Sequence, residues 1–200
     1  MTIRKGEEWG RRDITPPSFF IAEDDADGAS QPPHTPFAVC RGDMYTALGQ
    51  PALPVHHAEC TIVPIDALVC TITYVSGDVE TVHAFSHVTI GSWWKGRHLI
   101  ASNSGFIDGI NIAPRSHPND GEFDTVNIAA SMPLKQRFIA RRKAKTGTHV
   151  PHPQISIKRS TSEEFTRERP QERLAIDGVA VAQWLKISIS VEPDYWEIIL

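Results

Sequence analysis

Cysteine is scarce in this 200-residue chain, and the three present, Cys40, Cys60 and Cys70, form no C-x-x-C pair. An odd count at such spacings excludes a disulfide framework and a structural zinc site, and predicts reduced, mostly buried thiols. Charge of one sign is not in excess. A net charge of −4 supplies no global pull toward nucleic acid. Long apolar runs are missing too: the longest, Thr61 to Val75, is broken by Pro64 and Asp66 and is too short to span a bilayer. The first eight residues, Met1 to Glu8, hold no apolar core of a signal peptide, so a cytoplasmic location is expected. No G-x-G-x-x-G and no G-x-x-x-x-G-K-[ST] occurs, which speaks against a doubly wound nucleotide fold. The nine histidines include no H-E-x-x-H. Ser104 stands in Ser102-Asn-Ser104-Gly105, which is not a G-x-S-x-G elbow, so hydrolase chemistry is unsupported.

What is present is a β pattern. Hydrophobic residues make up 40% of the chain, enough for a packed core at this length. Residues 1–40 read as an N-terminal arm and linker. They hold one short strand, Phe19 to Ala22, then an acidic, proline-rich loop containing Asp24, Asp25 and Asp27. Asp43 to Leu48 reads as a short helix capped by Asp43 and stopped by Gly49. Ala67–Val75 and Val79–Phe85 flank the turn Ser76-Gly77-Asp78 as a hairpin. Further strands are predicted at 87–90, 98–102, 110–113, 125–129, 154–158, 173–176, 184–191 and 195–200. The one convincing helix spans about 133–146. Pro133 sits at its start and Gly147 ends it, while Leu134, Phe138 and Ile139 form an apolar stripe expected to face the sheet. Many short strands with one real helix predict a mainly β, antiparallel, two-layer β-sandwich-like domain over residues 41–200.

The informative stretch begins at Asn103-Ser-Gly105-Phe-Ile-Asp108-Gly109-Ile-Asn-Ile-Ala113-Pro114. It continues with His117-Pro-Asn-Asp120-Gly121-Glu122-Phe-Asp124, the helix, Gly147-Thr-His149 and Ile176-Asp177-Gly178. This order resembles the C-terminal β-rich domain of the diacylglycerol kinase and bacterial lipid kinase family, within the NAD kinase–diacylglycerol kinase superfamily. A weaker echo is Asp43-Met-Tyr-Thr-Ala-Leu48-Gly49-Gln-Pro51, which is similar to the segment leading into that domain. The family's G-G-D-G-T phosphate-cradling loop is absent, and about 40 residues precede the echo, so the chain is expected to be the β domain standing alone.

The resemblance implies ligand contacts at Asp43, Asn103, Gly105, Asp108 and Gly109. It implies a structural Mg²⁺ held by the Asp120 carboxylate and the carbonyls of His117 and Glu122, as a hard cation prefers oxygen. It offers Asp177 as the catalytic candidate; in a working or split kinase, Asp177 and Asp120 would be the acidic groups nearest phosphoryl transfer. The family's general-base glutamate is replaced here by Val179, which cannot accept a proton. A catalytically degenerate domain that binds a lipid or phosphorylated metabolite is therefore expected. The alternative is an active or split kinase whose ATP site comes from a partner subunit or a homodimer.

The residues alone leave several of these points open. Pro118-Asn-Asp120-Gly121 is ordinary turn chemistry with or without a metal, and Gly105 and Gly109 suit a plain hairpin equally well. Lys135, Arg137, Arg141, Arg142, Lys143 and Lys145 occur with no acid between Met132 and Gly147. Such a helix suits peripheral contact with an anionic membrane, and its cations also complement the helix dipole.

Overall fold

The computed structural model describes residues 9–146 and 148–200. The leader reading of Met1–Glu8 and the helix stop at Gly147 lie outside the described residues. The elements run β1 (Arg11–Ile14), β2 (Ile21–Ala22), α1 (Asp25–Ala29), β3 (Pro36–Val39), α2 (Asp43–Ala47), β4 (Glu59–Tyr74), β5 (Val79–Ala84), β6 (His87–Gly91) and β7 (His98–Ser102). They continue β8 (Phe106–Ile107), β9 (Ile110–Asn111), β10 (Phe123–Ile128), α3 (Leu134–Ala144), β11 (Ile155–Ser160), β12 (Ser162–Thr166), β13 (Leu174–Ile176), β14 (Val179–Val181) and β15 (Trp184–Ile199).

Two large sheets and the small two-stranded sheet β8-β9 result, and the chain is mainly β as expected. The first is organised by the 16-residue strands β4 and β15, which pair antiparallel along most of their length. Each long strand serves two further neighbours at opposite ends. β4 takes β1 at Glu59–Ile62 and β5 at Leu68–Thr73. β15 takes β12 at Lys186–Ser190 and β3 at Glu197–Ile198. The sequence suggested two separate strands, 184–191 and 195–200. They are one strand bent at a register shift between Glu192 and Trp196, where Asp194 adopts φ +56°. β3 runs parallel to both β15 and β2, the exception to the antiparallel pattern. The second sheet has the order β11-β10-β7-β6-β13-β14.

Apolar alternation explains the layering. Leu68, Cys70, Ile72, Ile187 and Ile189 of the first sheet meet Val88, Ile90, Leu99, Ala101 and Leu174 of the second. On β7, Ile100 points the other way and joins Val126, Ile128, Ala140 and Ala144 in a second cluster, so α3 covers that face. β7 is buried along its whole length for this reason.

Three expectations need correction. Residues 11–39 supply strands to the first sheet, and the acidic stretch forms α1, with Asp24 as N-cap accepting the Asp27 N–H at 2.9 Å. The N-cap of α2 is Gly42, with φ +102°, and not Asp43. Above all, α3 is turned over. Arg137, Ala140 and Ala144 are its buried residues, while Leu134 and Phe138 are 60% and 61% exposed. The reason is long-range. The loop Ser92–Gly96 and residues 129–132 aim five backbone carbonyls at one point, and the Arg137 guanidinium fills it. Its Nε donates to Met132 at 3.0 Å, one terminal nitrogen to Trp93 at 2.8 Å and Ser92 at 3.3 Å, and the other to Ala129 at 2.9 Å and to Gly96. A planar five-donor fork suits such a cage.

Candidate functional site

A buried polar seam joins α1, α2, the β8–β9 hairpin and the β5–β6 junction. Asp25, in the first turn of α1, accepts the backbone N–H groups of Asp43 at 2.8 Å and Met44 at 3.1 Å, and so supplies the cap that Gly42 cannot. A Cβ on Gly42 would lie 2.5 Å from the Asp25 carboxylate, so only glycine allows this approach. Asp43 passes the arrangement on. Its carboxylate accepts the N–H groups of Asp108 at 3.1 Å and Gly109 at 2.8 Å, the two turn residues of the hairpin. Both have positive φ, +50° and +68°, as a tight two-residue hairpin turn requires.

His87, the first residue of β6, completes the seam. Its Nδ1 lies 3.5 Å from Asp43 Oδ2 and 3.3 Å from Ser86 Oγ. Ligand atoms of Asp25, Asp43 and His87 all fall within 4.8 Å of one another, close enough to share one cation or one proton. Each of the four carboxylate oxygens, however, already accepts one backbone N–H. Burial raises the Asp25 carboxyl above its ordinary value; its two N–H partners and His87 oppose that, and the neighbouring Asp43 adds to it.

Asp177 enters from the end of β13, the neighbour of β6 in the second sheet. It sits with Gly178 in the β13–β14 turn, at φ +45° and +81°. Its carboxylate accepts three successive N–H groups, from Phe85 at 2.7 Å, Ser86 at 2.8 Å and His87 at 2.9 Å. Burial still pushes its carboxyl up to about 6, against the pull of His87 and those three donors. Next door is a hydroxyl ladder: Ser86 Oγ is 2.9 Å from Ser104 Oγ, which is 3.3 Å from Ser102 Oγ, and that oxygen accepts the Gly105 N–H at 2.9 Å. Val179 is 58% exposed at the start of β14.

The structure thus brings Asp43, Asp108 and Gly109 into direct contact and ties Asp177 to them through His87. Gly105 lies at the other end of the same hairpin, where its carbonyl accepts the N–H groups of Ile112 and Ala113. Asn103 belongs to a second seam centred on Asp66, a lone acid in the middle of β4 and wholly buried. Asn103 Nδ2 donates to the Asp66 carbonyl at 2.6 Å. The Asp66 carboxylate accepts from Asn119 Nδ2 at 2.9 Å, Gly121 N at 2.7 Å and Asp194 N at 3.0 Å, and burial pushes it up to about 6. Asp66 therefore shapes the turn that carries His117, Asp120 and Glu122. In that turn the Asp120 carboxylate pairs with the Arg159 guanidinium, which also reaches Glu122 at 3.3 Å and Asp124 at 3.8 Å. The His117 ring accepts the Asn119 N–H at 3.2 Å. The carboxylate that the resemblance assigns to Mg²⁺ is thus paired with Arg159, and no chemistry is routed through an ion.

Sequence reasoning placed Asp25 only in the acidic stretch, Asp66 only as a break in an apolar run and Arg137 only among the helix cations, and gave His87 and Arg159 no site role. Asp66 had a signal, an acid inside an apolar strand. The roles of the others depend on partners brought in by the fold.

Beside the second seam runs a groove of about 630 Å³. It is lined by the apolar residues Ala113, Pro114, Val150, Pro151, Ile155 and Ile157 together with Arg115, Asp124, His152 and Arg159.

Comparison with known proteins places this fold. The profile of the YegS C-terminal NAD kinase beta sandwich-like domain matches residues 69–200. No curated protein matches. Among solved structures, a Bacillus anthracis str. Sterne protein assigned as a diacylglycerol kinase superposes with a TM-score of 0.51 at 12% identity, over 89% of this chain and 76% of that one. A diacylglycerol kinase from the same organism gives a TM-score of 0.47 at 12% identity, over 82% of this chain and 66% of that one. Yeast NADH kinase complexed with NADH gives 0.52 at 10% identity, over 90% of this chain and 60% of that one. At such identities the likeness is one of fold. The chain spans 60% to 76% of the length of these proteins.

Proposed function

We propose that this chain, which belongs to the family of the YegS C-terminal NAD kinase beta sandwich-like domain, binds a lipid or phosphorylated metabolite and performs no phosphoryl transfer by itself. The observation that carries this reading is the state of its buried acids. Asp25, Asp43 and Asp177 spend their oxygens on seven backbone N–H groups. A general base must be free to reach the hydroxyl proton it removes. These carboxylates are buried and hold α2, the hairpin and the β5–β6 junction in place, and Val179 offers no substitute. The groove beside Ala113-Pro114 supports the binding half of the reading. Its apolar lining residues suit a hydrocarbon chain, and Arg115 among them suits an anionic end.

The test is paired. Calorimetric titration with short-chain phosphatidic acid and diacylglycerol should give saturable binding, lost in Ile157→Arg with the fold retained. Incubation with labelled ATP, Mg²⁺ and the same lipids should give no transfer above background. Turnover by the chain would establish the rival reading, in which a second copy or a partner completes an ATP site. Absence of binding would remove the proposal.

A further inference from the structure

The reversal of α3 leaves a surface that the groove does not explain. With Arg137 caged inside and only Ala140 and Ala144 packed against the second sheet, the large apolar side chains of the helix face outward. Leu134 is 60% exposed, Phe138 61% and Ile139 37%, and Trp94 beside them is 50% exposed. Leu134, Phe138 and Arg141 fall at i, i+4 and i+7, hence on one stripe, and Lys135, Ile139 and Arg142 form the next. The Arg141 guanidinium lies 5.5 Å from the ring centre of Trp93 and 5.8 Å from that of Trp94, which joins the loop to the helix surface. Lys143 and Lys145 extend the cationic rim, and no Asp or Glu occurs from Met132 to Thr146. Asp108, paired with Arg141 at 3.1 Å, is the acid that approaches from the neighbouring hairpin.

We infer that this face docks on an anionic lipid bilayer. Leu134, Phe138 and Trp94 would enter the headgroup boundary, and Lys135, Arg142, Lys143 and Lys145 would meet lipid phosphates. Charge complementarity selects this occupant. The whole chain carries −4, yet Met132 to Thr146 holds six cations and no acid, and Asp108, the acid described beside it, is paired with Arg141. Apolar anchors ringed by Lys and Arg match a negatively charged interface, where hydrophobic insertion and electrostatic attraction add. A neutral apolar partner would gain nothing from that ring. The surface stands apart from the groove, so its success or failure is independent of the proposed ligand.

The experiment is sedimentation of the chain with vesicles of phosphatidylcholine alone and of phosphatidylcholine mixed with phosphatidylserine. Binding is expected to the mixed vesicles only, weakening as salt is raised. Replacing Lys135, Arg142 or Lys145 by Gln should weaken it about fivefold for each charge removed. The double variant Leu134→Ser/Phe138→Ser alters exposed positions, so it should keep its circular dichroism and melting curve while losing vesicle binding. Equal binding to neutral vesicles, binding to neither, or full binding by the folded double variant would each overturn the inference. So would sedimentation velocity showing that the face pairs two copies, with the double variant monomeric and the wild type blocked from vesicles.

Discussion

Asp43 accepts the backbone N–H of Gly109 at 2.8 Å, across 66 residues of sequence. This bond and its twin to Asp108 N anchor the β8–β9 hairpin on α2, and His87 lies against the same carboxylate. Asp43→Ala would remove the acceptor of two part-buried N–H groups and is expected to cost about 2 kcal/mol. Asp43→Asn keeps one acceptor and removes the charge beside Asp25, so it should cost less than half as much. Urea denaturation of the two variants checks the order.

Arg137 makes the opposite kind of prediction. Arg137→Met would leave five carbonyls without their donor and should destabilise by about 4 kcal/mol. Arg137→Lys should recover little, because three donors on one nitrogen cannot reach five carbonyls. Leu134→Ser, on the same helix, should change stability by less than about 0.5 kcal/mol. Had the apolar stripe faced the sheet, these effects would be reversed, and thermal melting of the three variants decides.

His98 sets a pH dependence. Burial holds it down to about 4 from an ordinary 6.5, while its Nδ1 lies 3.2 Å from the Ile90 carbonyl. The unfolded chain then binds the proton more readily than the folded one. The contribution of His98 is present above about pH 6.5 and is lost as pH falls toward 4, by up to about 3 kcal/mol. Asp66 and Asp177, raised to about 6 from 3.8, act in the other sense: their contribution is present below 3.8 and is lost as pH rises through 6. Stability of wild type minus His98→Gln should therefore grow between pH 4 and 6.5 and then level off. A flat difference would refute the shift.

Arg159 answers for the expected metal. It pairs with Asp120, Glu122 and Asp124 at once. Mg²⁺ should leave the melting temperature of the wild type unchanged. Arg159→Ala should lower it, since three acids are left without a counter-ion, and Mg²⁺ should then recover part of the loss. A Mg²⁺-dependent rise in the wild type would show that the turn takes the ion despite its arginine.

Much was legible locally. Alternation along 67–75 and 79–85 specified a hairpin because a pleated strand presents every second side chain to the core. Gly105 and Gly109 suited a hairpin, and both adopt positive φ in the structure. The order of Ala113-Pro114, Asp120-Gly121 and Asp177-Gly178 was enough to indicate the family. What tertiary structure alone decided was the direction in which polar groups spend their bonds. Asp177, expected nearest the chemistry, caps three N–H groups from residues about 90 positions away. Asp120, expected to hold a metal, meets an arginine from β11. Leu134 and Phe138 were expected inside by helical spacing, and the carbonyls of the Ser92–Gly96 loop claimed the inner face for Arg137. Hydrophobic pattern is a property of neighbouring residues and can be read along the chain. The satisfaction of buried donors and acceptors depends on which distant segments converge, and only the folded structure determines that.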